Sequence, residues 1–201
     1  MCIFWTSLIH GVALSGHRNA RSLTVQIRYI TGRGGRIDRG LSAYLATLTP
    51  DYKGLAADSE LLSLSIDEQL GRVREFTAGG ENLIVNSYGG YLLMLSLIDA
   101  HKAPERVLML SPLLGRSVFP KTMMASRPPR EKALKLALAE GRVAKPEYLR
   151  IVTGEDDAIC CPDLARSVSQ QLEADRLDVI PGEGHDINSK CVQAALESFL
   201  G

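Results

Sequence analysis

A three-layer, doubly wound α/β domain is the fold class this sequence predicts, and three observations predict it. Short apolar runs rich in β-branched residues alternate with segments of helical periodicity from about Ser22 to the C terminus. Middle runs such as Asn82–Asn86 and Arg106–Ser111 are apolar at consecutive positions, the mark of strands covered on both faces. Each run ends among Gly, Pro, Ser or Asp, residues that turn a chain out of a strand. The expected sheet is mostly parallel, with about six strands and helices on both faces.

The elements follow in order. The run SLTVQIRYIT from Ser22 to Thr31 reads as a strand that breaks into the glycine loop Gly32-Arg33-Gly34-Gly35. After a polar stretch, Lys53 to Asp58 is a candidate strand, and Ser65-Ile-Asp-Glu68 is a capping box opening a helix whose apolar face is Ile66, Leu70, Val73 and Phe76. Gly79-Gly80 stops that helix, Asn82–Asn86 is a buried strand, and Tyr91 to about Ala100 is an apolar helix. Arg106–Ser111 is the next strand, with Pro112 behind it. The segment Pro120–Lys145 is irregular, with a helix from Arg130 to Glu140 that predicts a small lid or surface helix. Tyr148–Thr153 is a strand, Pro162 opens a helix carrying Leu164, Val168 and Leu172, and Leu177–Ile180 is the last strand. A closing helix carries Val192, Ala195, Leu196 and Phe199.

Composition narrows the function. The chain has 201 residues, 45% hydrophobic and 23% charged, enough for one core, expected over residues 22–201. Lys and Arg total 23 against 23 Asp and Glu, so the zero formal charge offers no overall attraction to nucleic acid or anionic membrane. Residues 1–21 read as a loosely attached extension: no Lys or Arg precedes the apolar run, His10 interrupts it, and it is too short for a membrane span. Cys2, Cys160, Cys161 and Cys191 form no C-x-x-C pair, and the four histidines have no zinc-ligand spacing. Neither a disulfide framework nor a metal is expected, and the compartment read from this is cytoplasmic. The glycine loop fails both the G-x-G-x-x-G and the G-x-x-x-x-G-K-[ST] patterns, so no nucleotide cofactor is expected.

Function must therefore lie in a local site, and in a parallel sheet ligands bind beyond the carboxyl ends of the strands. Ser87, Asp157 and His185 each stand just past such an end, in that chain order. Ser87 lies between a buried strand and a helix, with Gly89 and Gly90 leaving room for a sharp turn. Asp156 and Asp157 both lie within reach of the histidine loop. His101, near a helix end, reads as structural, and the vicinal cysteines as buried inert thiols. Arg33, Arg36 and Arg39 make a basic loop suited to a carboxylate or phosphate, although a solvated charged loop has the same sequence signature.

The elbow N-S-Y-G-G, the acid loop G-E-D-D and the histidine loop G-E-G-H together resemble the α/β-hydrolase family, from about Ser22 to Gly201. The resemblance implies Ser87 as nucleophile, His185 as general base and, by the family's spacing after the glycine, Asp157 as the orienting acid. It also implies an oxyanion hole completed by backbone N–H groups of Tyr88 and Arg33; Gly34 and Arg36, in the basic glycine loop at the same edge, are the expected substrate-binding residues. Two positions depart from the family's pattern: Val85 stands where a small residue is usual, and Thr31 precedes Gly32 in place of a histidine. The implied activity is hydrolysis of a small ester, thioester or amide through an acyl-enzyme on Ser87, without cofactor, on a small-molecule acyl substrate. The same residues would serve acyl transfer, and a catalytically silent binding protein is the reading from another class.

Overall fold

A computed structural model describes residues 25–115 and 128–201. The extension expected over residues 1–21 and the first part of the irregular segment, from Pro120 to Arg127, lie outside the described residues. Six strands form one sheet: β1 (Ile27–Arg33), β2 (Tyr52–Ala57), β3 (Asn82–Asn86), β4 (Arg106–Leu110), β5 (Tyr148–Gly154) and β6 (Arg176–Ile180). Their spatial order is β2-β1-β3-β4-β5-β6, and every neighbouring pair is parallel. The chain runs outward from β1 to β2 and then back past β1 to β3, so the order reverses between β1 and β3. That reversal opens a crevice where the loops after the two strands part.

Helices cover both faces. On one side lie α2 (Ser59–Ser63), α3 (Ile66–Thr77), α4 (Tyr88–Ser96), α5 (Glu131–Ala139) and α6 (Pro162–Gln171), whose buried side chains join Ile30, Val85, Val107, Met109 and Ile151 of the sheet. On the other, α1 (Leu41–Leu48) and α7 (Ser189–Leu200) bury Leu45, Val192, Leu196 and Phe199 against Ile27, Tyr29, Ile84, Leu108 and Val152. Successive strand residues thus feed opposite cores, which is why β3 and β4 had to be apolar throughout.

Local signals account for most boundaries. Ser65 and Glu68 close the expected capping box at the start of α3. Pro162 sits in the first turn of α6, and the Asn188 side chain accepts from Cys191 N–H to cap α7. The helix expected from Arg130 is α5, which buries Leu134, Ala137 and Leu138.

Several segments differ from expectation, among them the short helix α2, which is not among the expected elements. The polar stretch before β2 contains α1, whose Leu41, Tyr44 and Leu45 are short-range helical neighbours at only two turns' length, too brief to stand out as a period. The strand expected to end at Thr31 continues as β1 through Gly32 and Arg33, because Gly32 packs against Asn86 and Ser87, and the turn begins at Gly34. Helix α4 starts at Tyr88, ahead of the expected Tyr91, and ends at Ser96. Gly89 and Gly90 weaken helix propensity, but here they are what lets the helix dock, since every residue of α4 is buried.

Candidate active site

Ser87 stands at the corner between β3 and α4 with φ 47° and ψ −112°, a left-handed conformation costly for a residue with a Cβ. The surrounding backbone imposes it. Ser87 N–H donates to Leu110 O at 3.0 Å, while its carbonyl accepts from Gly90 N–H at 3.1 Å and from Leu113 N–H at 2.9 Å. A Cβ on Gly89 would stand 2.6 Å from Thr31 O, so the helix meets β1 backbone to backbone. Val85 is fully buried at the corner, and a Cβ on Gly90 would meet it only at an ordinary 3.5 Å, whereas it would stand 2.8 Å from Pro112 Cβ.

The loop after β5 carries Asp157, buried, with both carboxylate oxygens occupied. Oδ1 accepts from Ile159 N–H at 2.8 Å and Cys160 N–H at 2.7 Å, and Oδ2 faces the Thr153 hydroxyl at 3.5 Å. The loop after β6 carries His185, whose Nδ1 lies 3.1 Å from Oδ1 and 3.0 Å from Oδ2 of Asp157. The two loops are pinned together: Asp156 N–H donates to Glu183 O at 2.9 Å and Glu155 N–H to Ile180 O at 2.9 Å. His185 Nε2 lies 2.9 Å from Ser87 Oγ.

The structure therefore brings Ser87, His185 and Asp157 into one hydrogen-bonded line, and leaves Asp156 exposed on the loop. A carboxylate only accepts, so the proton on His185 belongs on Nδ1, and Nε2 is left as an acceptor for the Ser87 hydroxyl. Such a line can draw a proton from Ser87 and hold it while Oγ bonds to an electrophile.

The other expected residues lie around this line. Tyr88 opens α4, where first-turn N–H groups have no intrahelical acceptor. Its ring stacks on Tyr91 at 6.1 Å and its hydroxyl donates to Gln69 Oε1 at 3.1 Å. The Arg33 guanidinium lies 5.8 Å from the Tyr88 ring centroid. Gly34 has φ 72° and donates its N–H to Ala57 O at 2.7 Å. Arg36 is exposed and paired to Asp38 through two bonds of 2.8 and 2.5 Å, which hold the Asp38 carboxyl well below the usual range. His101 is exposed in the loop before β4. Cys160 is buried, and burial pushes its thiol up to about 12, whereas Cys161 is half-exposed.

Gly32, Thr153 and Gly154 also shape the site: the sequence places Gly32 in the glycine loop and Gly154 in the acid loop, but not the contacts they make, and it marks Thr153 only as a strand end. A Cβ on Gly32 would sit 3.2 Å from Ser87 Cβ, and one on Gly154 would overlap Glu183 O at 2.1 Å. Among the described residues, no group of three or more His, Cys, Asp or Glu side chains is arranged to hold a metal ion. No helix among them is long and apolar enough to cross a membrane.

Solved structures share this arrangement of strands and helices. A monoacylglycerol lipase from Paleococcus ferrophilus superimposes with a TM-score of 0.62 at 15% identity, over 87% of this chain and 93% of that one. The ydeN gene product of B. subtilis gives 0.63 at 15% identity, over 88% and 98%. A lipase-esterase related protein from Clostridium acetobutylicum gives 0.60 at 12% identity, over 87% and 93%. The chain has the α/β-hydrolase fold. No protein-family model matches its sequence, and no curated protein matches it. Within the α/β-hydrolase fold, Ser87 occupies the strand-to-helix corner, and Asp157 and His185 the loops after the last two strands.

Proposed function

We propose that this chain is a serine hydrolase that cleaves a small ester, thioester or amide through an acyl-enzyme on Ser87. The observation that carries the reading is the hydrogen-bonded line from Ser87 Oγ through His185 to buried Asp157, mounted on a left-handed corner. Ser87 Oγ attacks the substrate carbonyl carbon while His185 Nε2 takes its proton. Asp157 keeps the imidazole in the required tautomer and stabilises the imidazolium. The proton then passes to the leaving group, and water repeats the sequence to release the acid.

The developing oxyanion needs donors already aimed at it. Tyr88 N–H, at the positive end of α4, is one. Arg33 N–H is the second, supported by the close packing of Gly32 on Ser87. Successive N–H groups of an extended chain alternate sides, and Gly34 N–H is directed to β2, so Arg33 N–H is directed toward β3. Losing one such donor costs about 3 kcal/mol of barrier. Beside the substrate, Gly34 offers open space and Arg33 a cation, while Arg36 is engaged by Asp38.

Labelling with a fluorophosphonate followed by intact-mass measurement tests the reading without a known substrate. One adduct is expected on the native chain, none on Ser87→Ala, and strongly slowed labelling on His185→Ala. A folded native chain that takes up no adduct would overturn it.

A further inference from the structure

The strand between β3 and β5 ends in a second serine in a left-handed conformation. Asn86 and Leu110 are register partners, as are Leu110 and Val152, so the next residues Ser87, Ser111 and Thr153 form a row along the sheet edge. Ser87 is the proposed nucleophile, and Thr153 faces Asp157. Ser111 lies between them with φ 40°, and its N–H donates to Val152 O at 2.8 Å.

Its side chain is buried, 1% exposed overall, and Oγ has no hydrogen-bond partner among the described residues. A buried hydroxyl without a partner carries a desolvation cost that native structures rarely leave unmet. Ser111 lines the cavity of about 120 Å³ that also has His185, Asn86, Asp186 and Tyr29 on its walls. The space is several times that of one liquid water, about 30 Å³, and its walls supply the two to four polar partners a bound water needs.

Resting on the reading of Ser87 as nucleophile, we propose that Ser111 Oγ holds the water that hydrolyses the acyl-enzyme. That water must approach the acyl carbon within reach of His185, and the cavity shares His185 as a wall. One O–H donates to His185 Nε2, the acceptor left free once acylation removes the Ser87 hydroxyl that had donated to it, and the other donates to Ser111 Oγ. The water oxygen bonds to the acyl carbon as Nε2 takes its proton. The tetrahedral intermediate then expels Ser87 Oγ, which recovers the proton from His185, and a carboxylic acid leaves. Ser111 touches only the second half-reaction, which separates its role from that of the first attack.

The test uses p-nitrophenyl acetate on the wild type, Ser111→Ala and Ser111→Gly. Early p-nitrophenol release reports acylation, and decay of the isolated acetyl-enzyme, followed by intact mass, reports its hydrolysis. Both variants are expected to acylate within about twofold of wild type while their acetyl-enzymes decay about tenfold more slowly, the effect of one lost hydrogen bond. Glycine relieves the φ of 40° and alanine does not, so equal slowing assigns the effect to the hydroxyl, and slowing in alanine alone would overturn the proposal. Decay at the wild-type rate in both variants, or acylation slowed as much as decay, would also overturn it while leaving Ser87 as nucleophile. A wild type that forms no acetyl-enzyme would overturn the parent reading, and this one with it.

Discussion

The turn after β1 and the junction of the loops after β5 and β6 both depend on glycine, in opposite ways. At Gly34 the backbone takes φ 72° into open space, with nothing within 4 Å of where a Cβ would stand. At Gly154 a Cβ would stand 2.1 Å from Glu183 O and 2.4 Å from Gly184 O, two backbone atoms just ahead of His185. One glycine sets the direction of an exposed chain; the other lets two loops touch. The contrast teaches that the separation of His185 from Asp157 is set by close main-chain contact, whereas the basic turn carrying Arg36 is tied to β2 by a hydrogen bond from Gly34 N–H to Ala57 O and has open space at Gly34 itself.

The hardest way to break this comparison is to leave the packing alone and change one atom. Asp157→Asn keeps the shape of the side chain, and its remaining oxygen can still accept from Ile159 and Cys160 N–H. Its NH₂ would then donate to His185 Nδ1, moving the ring proton to Nε2, where it can no longer receive the Ser87 proton. If the proposed reading holds, turnover of p-nitrophenyl acetate is expected to fall about 10⁴-fold. The midpoint of thermal unfolding should move far less than in the Gly154 variant below. A variant retaining a tenth of wild-type turnover would show that Asp157 serves the loop and not the chemistry.

Gly154→Ala attacks the same junction from the packing side. Neither atom it meets is the end of a flexible side chain, so the β5 and β6 loops must separate. A cost of about 3 kcal/mol or more is expected from urea unfolding, at the upper end of overpacking effects. Fluorophosphonate labelling should slow in whatever fraction remains folded. Unchanged stability would mean that the loops move apart freely, and the contrast with Gly34 would disappear.

Much of this was legible in the residues, and the reason differs by element. Strands β3 and β4 announced themselves because burial on two faces leaves no polar alternation to mistake for a helix. The start of α3 was legible because a capping box is purely local. Ser87, Asp157 and His185 were legible because a parallel sheet gathers strand ends at one edge. Helix α1 was hidden: its burial rests on Ser42 and Leu45 alone, with Leu48 exposed. Gly32 and Gly154 stood out as loop glycines, but the contacts that require them were hidden, since what they avoid is a contact with residues far along the chain. Ser111 was hidden likewise, as its orphaned hydroxyl is defined only by the walls around it.

The cysteines offer a smaller test of how closed the acid loop is. Cys160 N–H holds Asp157, and burial keeps its thiol protonated up to about 12, well above an unfolded thiol. Below the unfolded value both states are protonated and the contribution to stability is whole. As pH rises from about 9 toward 12 the unfolded chain loses this proton and the folded one keeps it, so stability falls by up to about tenfold in the folding constant per pH unit. Urea midpoints at pH 8 and pH 10 should therefore converge less in the wild type than in Cys160→Ala, which lacks this dependence. Half-exposed Cys161 should take up iodoacetamide well before Cys160 does.

The smallest effect belongs to Gly34→Ala. The new methyl meets nothing, so the only penalty is holding a side-chain-bearing residue at φ 72°, about 1 kcal/mol. Part of that is offset because alanine has less backbone freedom to lose on folding. Urea unfolding is expected to show a loss near 1 kcal/mol, against about 3 for Gly154→Ala. Labelling of Ser87 should proceed at close to the wild-type rate, because Gly32 and Arg33 belong to β1 and are held by the strand, not by the turn. If labelling instead fell as sharply as stability was preserved, the turn would be positioning the Arg33 N–H. The boundary between the close-packed site and its open rim would then lie beyond Gly34.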